Sequence, residues 1–246
     1  MASLSCSLGN WRPVVRHVDD AGPQEVAITI DDAPTVEATP GLLDLLRRFQ
    51  MKATFFVSGF RAEKSLELVE AIARDGHAVY AHGWDHIRLD RAPKGRLIQD
   101  MSRCEALLAQ CRPTPSPYLV RLPYNGGYRN SAVHRQLQSW MPGCQIAHWR
   151  LSTEDHAIAS AQATTADIEQ AAEAAVRRVL DHPGLPGAVI LMHDQPVNDL
   201  PEGGVKAQAS LAVMRHLVEG LAAKGMASVC LRPLAAPSFL SRFVFA

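Results

Sequence analysis

Short runs of β-branched and apolar residues alternate with stretches in which apolar residues recur every three to four positions, from near residue 25 to near residue 232. This alternation is the pattern of parallel strands, each followed by an amphipathic helix that covers the sheet. The predicted strands are 26–30, 54–57, 78–81, 118–121, 145–149, 188–192 and 227–230. The fold class is therefore α/β, and seven or eight such units suit a (β/α) barrel.

Between the strands, Leu42, Leu45, Leu46 and Phe49 fall on one helical face, as do Leu211, Met214, Leu217, Val218 and Leu221. Both stripes read as core. The Ala-rich stretch 166–180 predicts a further helix, stopped by His182, Pro183 and Gly184. Gly76 and Gly225 are placed as helix stops, because glycine enters the left-handed backbone that ends a helix. With no internal repeat and no low-complexity linker, the chain reads as one domain over 1–246 whose motif-bearing core covers about 25–232.

Composition narrows the classes of partner. Lys plus Arg and Asp plus Glu balance at 25 each, and no long block carries one sign, so a nucleic-acid partner is not expected. Cys6, Cys104, Cys111, Cys144 and Cys230 are odd in number and contain no C-x-x-C pair, which argues against a disulfide framework and a thiolate zinc site. Residues 1–18 carry Trp11, Arg12 and Pro13 where a secretory leader needs an apolar run, and no later run reaches membrane-spanning length. The expectation is a soluble, cytoplasmic protein without a transmembrane segment. Phe239, Leu240, Phe243, Val244 and Phe245 make an apolar tail, read first as packing on its own domain and second as a homo-oligomer contact.

The residues capable of chemistry gather at the C-terminal ends of the predicted strands, where β/α folds build their sites. Asp31 and Asp32 follow the first apolar strand. Adjacent carboxylates repel unless their roles separate; one can bind a cation while the other accepts a proton from water. Before Pro34 the same pair also fits an ordinary turn. His82 and His86 lie four apart, a spacing that on one helical turn brings both rings to one ion, although two surface histidines fit it equally. Two imidazoles and a carboxylate leave coordination positions open and suit zinc first, with Co2+, Ni2+ or Mn2+ as alternatives. Arg121 offers a fixed cation, the Tyr124 amide after Pro123 an oxyanion donor, and His193 a titratable acid.

In order along the chain, these segments resemble the five motifs of the polysaccharide deacetylase family, also known as the NodB-homology domain or the fourth carbohydrate-esterase family. Residues 29–34 (TIDDAP) resemble T-F-D-D-G-P and residues 82–86 (HGWDH) resemble H-[ST]-x-x-H. Residues 121–124 match R-x-P-Y, residues 152–156 (STEDH) match D-x-x-D-W more weakly, and residues 191–194 resemble L-x-H-D. The resemblance implies a distorted (β/α) barrel with Asp31 as general base and Asp32, His82 and His86 as metal ligands. It further implies Arg121 and Asp155 as positioning groups, Asp155 holding Arg121 or His193, with His193 as general acid. Tyr124 would supply the oxyanion amide beside Pro123, while Trp84 and His156 would face substrate.

Ala33 stands for the family's glycine, Ser152 for the first acid of the fourth motif and His156 for its tryptophan. An imidazole at the last position makes a smaller, titratable wall. The form H-x-W-D-H is similar to that of relatives that deformylate lipid-linked amino sugars. The implied function is a hydrolase that removes an N-acyl group, acetyl first, from an amino sugar or its conjugate. Hydrolysis of a formamide, ureide or cyclic imide and an inactive carbohydrate-binding domain are the alternative readings.

Overall fold

The computed structural model describes residues 14–18, 22, 24–93, 95–159 and 163–234. Cys6 and the apolar segment 239–245 lie outside the described residues. In chain order the elements are β1 (Val14–Val15), β2 (Glu25–Ala33), α1 (Thr39–Arg48), β3 (Ala53–Val57), α2 (Gly59–Ala62), α3 (Leu66–Arg74) and β4 (Ala78–Ala81). There follow α4 (Arg96–Leu108), β5 (Leu119–Val120), α5 (Ser131–Trp140), β6 (Gln145–Ala147), β7 (Leu151–Ser152), α6 (Thr165–Leu180), β8 (Val189–His193), α7 (Gly204–Ala223) and β9 (Ala227–Ser228).

The strands form two parallel sheets, β4-β3-β2-β8-β7 with β9 beside the start of β2, and β1-β6-β5. Side chains and single backbone bonds close the barrel where the ladders stop. The Tyr118 hydroxyl accepts from the Ala81 amide across the β4–β5 gap, and Val18 N donates to Gly187 O on the other side. The (β/α) barrel is thus present in its distorted form. Beyond the expected strands it contains β1 and β7, each of two residues, too short to show a period in the sequence.

β2 is central, between β3 and β8, and Val26, Ala27, Ile28 and Ile30 are wholly buried. A strand covered on both faces takes a continuous apolar run rather than an alternating one. It runs three residues beyond the expected 26–30, with Asp31 on the ladder and Asp32 at the register shift before Ala33. In α1, Leu42 and Leu46 are buried and Leu45 half-buried; in α7, Met214, Leu217, Val218 and Leu221 are buried. α6 begins with Thr164 and Asp167 in a reciprocal capping box and ends at Leu180, before the predicted breaker. Gly76 and Gly225 take φ of 79° and 67° just past α3 and α7, the stop geometry expected of them. Cys104, Cys111, Cys144 and Cys230 are free thiols. Among the described residues, no helix is long and apolar enough to cross a membrane.

Candidate metal centre

The register of the central strands assembles the site. Asp31 on β2 lies opposite His193 on β8 and Phe56 on β3, so the acid of one motif and the imidazole of another meet through backbone pairing. Next along β2, Asp32 takes φ 65°, a left-handed conformation that turns its carboxylate out of the alternation. The left-handed residue is therefore Asp32 and not Ala33, so alanine at the family's glycine position is accommodated without strain.

Asp32 is buried. Its Oδ2 accepts from the Val197 amide at 3.0 Å. Its Oδ1 is buried without a hydrogen bond, 3.0 Å from His86 Nε2 and 3.5 Å from His82 Nε2. His82 Nδ1 lies 2.7 Å from the Arg121 carbonyl; a carbonyl only accepts, so Nδ1 carries the proton and Nε2 offers a lone pair. Burial holds the His82 pKa below its ordinary value, against the pull of Asp31 and Asp32. Burial pushes the Asp32 carboxyl up, but the facing His86, His82 and His193 outweigh it and the net displacement is downward.

These three side chains fit a divalent cation. The ligand atoms of Asp32, His82 and His86 lie within 4.8 Å of one another, and all three residues are buried. A buried carboxylate oxygen left without a partner is costly, and a cation at the point the three atoms share removes that cost. The two histidines reach this point from a loop after β4. The expected helical turn is absent because Gly83 and His86 both take positive φ, 84° and 50°.

Two charged pairs flank the cluster. Arg121, at the end of β5, donates from Nη1 to Asp31 Oδ1 at 2.7 Å and to Thr29 Oγ1 at 2.8 Å. Its other nitrogens donate to the Ala147 and His148 carbonyls, both at 3.2 Å. On the opposite side, Asp155 Oδ2 accepts from the His193 amide at 2.7 Å, while Oδ1 lies 3.0 Å from His193 Nδ1. Of the two partners expected for Asp155, the structure brings it to His193. Burial alone would lower the His193 pKa, but Asp155 first, then Asp32 and Asp31, raise it to about 9.

The remaining expected residues divide. Tyr124, at φ 57° in a kinked 3-10 turn after buried Pro123, sets its ring centroid 4.8 Å from that of His86 and is 54% exposed. His156 is exposed, its ring centroid 5.8 Å from that of His193. Trp84 corrects its expectation. Its indole is buried over Gly59 and under the Arg103 guanidinium, 3.5 Å from the ring centroid, so it packs the loop onto α2 and α4 instead of forming an open wall. Sequence reasoning missed Thr29 beneath Arg121, Thr153 donating to Asp155, the Val197 amide on Asp32, and Arg61. Thr29 and Thr153 had a visible signal, their places within the first and fourth motifs.

A family model described as polysaccharide deacetylase matches residues 19–140. A peptidoglycan-N-acetylglucosamine deacetylase of Bacillus cereus is 30% identical over 207 residues, 84% of this chain and 66% of its own length. A chitooligosaccharide deacetylase of Bradyrhizobium sp. (strain ANU 289) is 27% identical over 176 residues, 72% of this chain and 73% of its own. The crystal structure of the polysaccharide deacetylase Bc1974 from Bacillus cereus superposes with a TM-score of 0.70 at 25% identity, covering 85% of this chain and 92% of that one. The chain thus spans just under two thirds of the length of its Bacillus cereus sequence relative.

Proposed function

The chain belongs to the polysaccharide deacetylase family, and from that premise we propose that it is a divalent-cation-dependent hydrolase removing an N-acyl group, acetyl first, from an amino sugar or its conjugate. The observation that carries the reading is the buried, unpartnered Asp32 Oδ1 aimed between His82 and His86, with a carboxylate held by arginine and an imidazole held by aspartate beside it. Binding alone requires neither of those two flanking pairs, which disfavours a carbohydrate-binding role without chemistry.

Asp32, His82 and His86 would hold the ion, zinc first, and a bound divalent cation supplies Lewis acidity toward an amide carbonyl and water. Asp31 has one oxygen tied to Arg121; the other, 3.8 Å from His82 Nε2, faces the centre and takes the proton of the attacking water. His193 stays protonated at neutral pH through Asp155 and gives its proton to the departing nitrogen. The Tyr124 amide, on its left-handed turn beside His86, donates to the oxygen that gains charge.

The test couples metal analysis of the purified protein to acetate, formate and amine release from N-acetyl and N-formyl amino sugars, before and after chelation and metal restoration. One equivalent of cation with chelator-sensitive acetate release is the expected result. Formate release alone would move the substrate to formamides, and a protein that takes up no cation would overturn the reading.

A further inference from the structure

Arg61 lies outside every motif that the chemistry uses, on the four-residue helix α2, yet its side chain is 4% exposed. Its Nη1 donates to two carbonyls, Asp32 O at 2.5 Å and Gln195 O at 2.6 Å, while Nε and Nη2 each stand 2.9 Å from Glu202 Oε1. One guanidinium therefore joins the peptide of Asp32 to the segment that follows β8. That same segment reaches the Asp32 carboxylate directly, through the Val197 amide on Oδ2. Its start is fixed independently, since buried Gln195 receives the Gly203 amide on Oε1 and donates from Nε2 to Thr35 Oγ1.

Asp32 needs such support. A residue with a side chain at φ 65° persists only where its surroundings over-determine the backbone. A planar fork of donors can satisfy two carbonyls and a carboxylate together, whereas a lysine ammonium, one bond shorter, offers a single nitrogen. With Oδ2 capped by an amide, the carboxylate presents one oxygen, Oδ1, to the centre.

We propose that Arg61 is a positioning residue of the metal centre, clamping the carbonyls of Asp32 and Gln195 so that Val197 keeps Oδ2 and Oδ1 alone faces His82 and His86. The proposal rests on the reading of Asp32 as a cation ligand. Without the clamp the Asp32 and Gln195 carbonyls lose the donor they share, the Val197 amide is held less firmly on Oδ2, and the carboxylate is free to rotate or to offer both oxygens.

The test is Co2+ titration of the chelated protein and of its Arg61→Met, Arg61→Lys and Glu202→Gln variants, reading affinity and the d–d absorption bands, with melting followed by circular dichroism. Arg61→Met is expected to weaken Co2+ about 10- to 100-fold, the range for residues that orient a ligand, and to displace the bands. Arg61→Lys falls between it and the wild type. Glu202→Gln removes a charge from the exposed end of the guanidinium but leaves both carbonyl bonds, and keeps the wild-type spectrum. Wild-type affinity and bands in folded Arg61→Met would overturn the proposal, as would a Glu202→Gln shift equal to that of Arg61→Met. If Arg61→Met does not fold, Arg61→Lys decides: displaced bands with weaker binding support the clamp, and wild-type values overturn it. A wild-type protein that takes up no Co2+ overturns the clamp and the metal reading together; uptake by the wild type with unaltered Arg61 variants overturns the clamp alone.

Discussion

At the scale of single residues, the two adjacent aspartates differ because their partners differ. Asp31 is tied to a guanidinium; Asp32 takes a backbone amide on one oxygen and turns the other toward two imidazoles. Asp31→Asn leaves every ligand atom of the cation site unaltered, so one equivalent of metal is expected to remain while kcat falls by about 10²- to 10⁴-fold, the usual contribution of a positioned base. His82→Ala is expected to lose metal and turnover together. Equal metal loss in the two, measured on chelated and reloaded protein, would refute this division. His193 shows the same dependence on its partner. Its folded pKa, about 9, exceeds the ordinary 6.5, so its contribution to stability is complete below pH 6.5 and is lost as pH rises through 9. The proton it donates is lost over the same range. In cation-free protein, NMR titration of His193 should have a midpoint near 9, and Asp155→Asn should bring it down, because burial then acts with less opposition. An unchanged midpoint in that variant would remove Asp155 from its role.

At the scale of elements, the loop after β4 does what a helix was expected to do. The four-residue spacing of His82 and His86 was legible, and so was its chemistry. The backbone was not, because left-handed φ at His86 leaves no trace in composition. The resemblance set Trp84 toward substrate, and its burial was not legible because the sequence does not show its packing partner. That partner is Gly59 on α2. A Cβ there would lie 2.5 Å from Trp84 Cε3 and 3.1 Å from Trp84 Cα, and the Gly59 and Phe60 amides donate to the Gly83 and Trp84 carbonyls. Gly59→Ala must therefore push the whole loop outward. The expected cost is about 1–3 kcal/mol of stability, typical of an overpacked contact, together with weaker cation binding because both histidines ride on the displaced loop. Denaturant unfolding and metal titration of the same variant check the two effects. Loss of stability with unaltered affinity would show that the loop moves without carrying its ligands. Arg61 escaped notice because an arginine on a short helix normally points to water, and only the tertiary fold reveals the two carbonyls it serves.

At the scale of the whole molecule, Arg121 joins what the ladders leave apart. It follows directly on β5 of the smaller sheet, bonds the Ala147 and His148 carbonyls beside it, and crosses the interior to Thr29 and Asp31 on the central strand of the larger one. Strand positions and the gathering of polar residues at strand ends were readable from the sequence, because apolar periodicity sets the first and β/α connectivity the second. The gap between the sheets was not readable, nor was its closure by a side chain that also orients the base. Arg121→Met would leave the buried Asp31 carboxylate without its cation, at a cost of about 3–5 kcal/mol, as for other buried pairs deprived of one partner. Replacing both with apolar groups removes the orphaned charge, so Arg121→Met combined with Asp31→Leu should recover most of that loss in cation-free protein. Neither variant should turn over substrate. Urea unfolding of the two single variants and the double variant measures the coupling. A double variant as unstable as the sum of its parts would mean that the sheets are held together by their packed cores, and that the Arg121–Asp31 pair serves the chemistry alone.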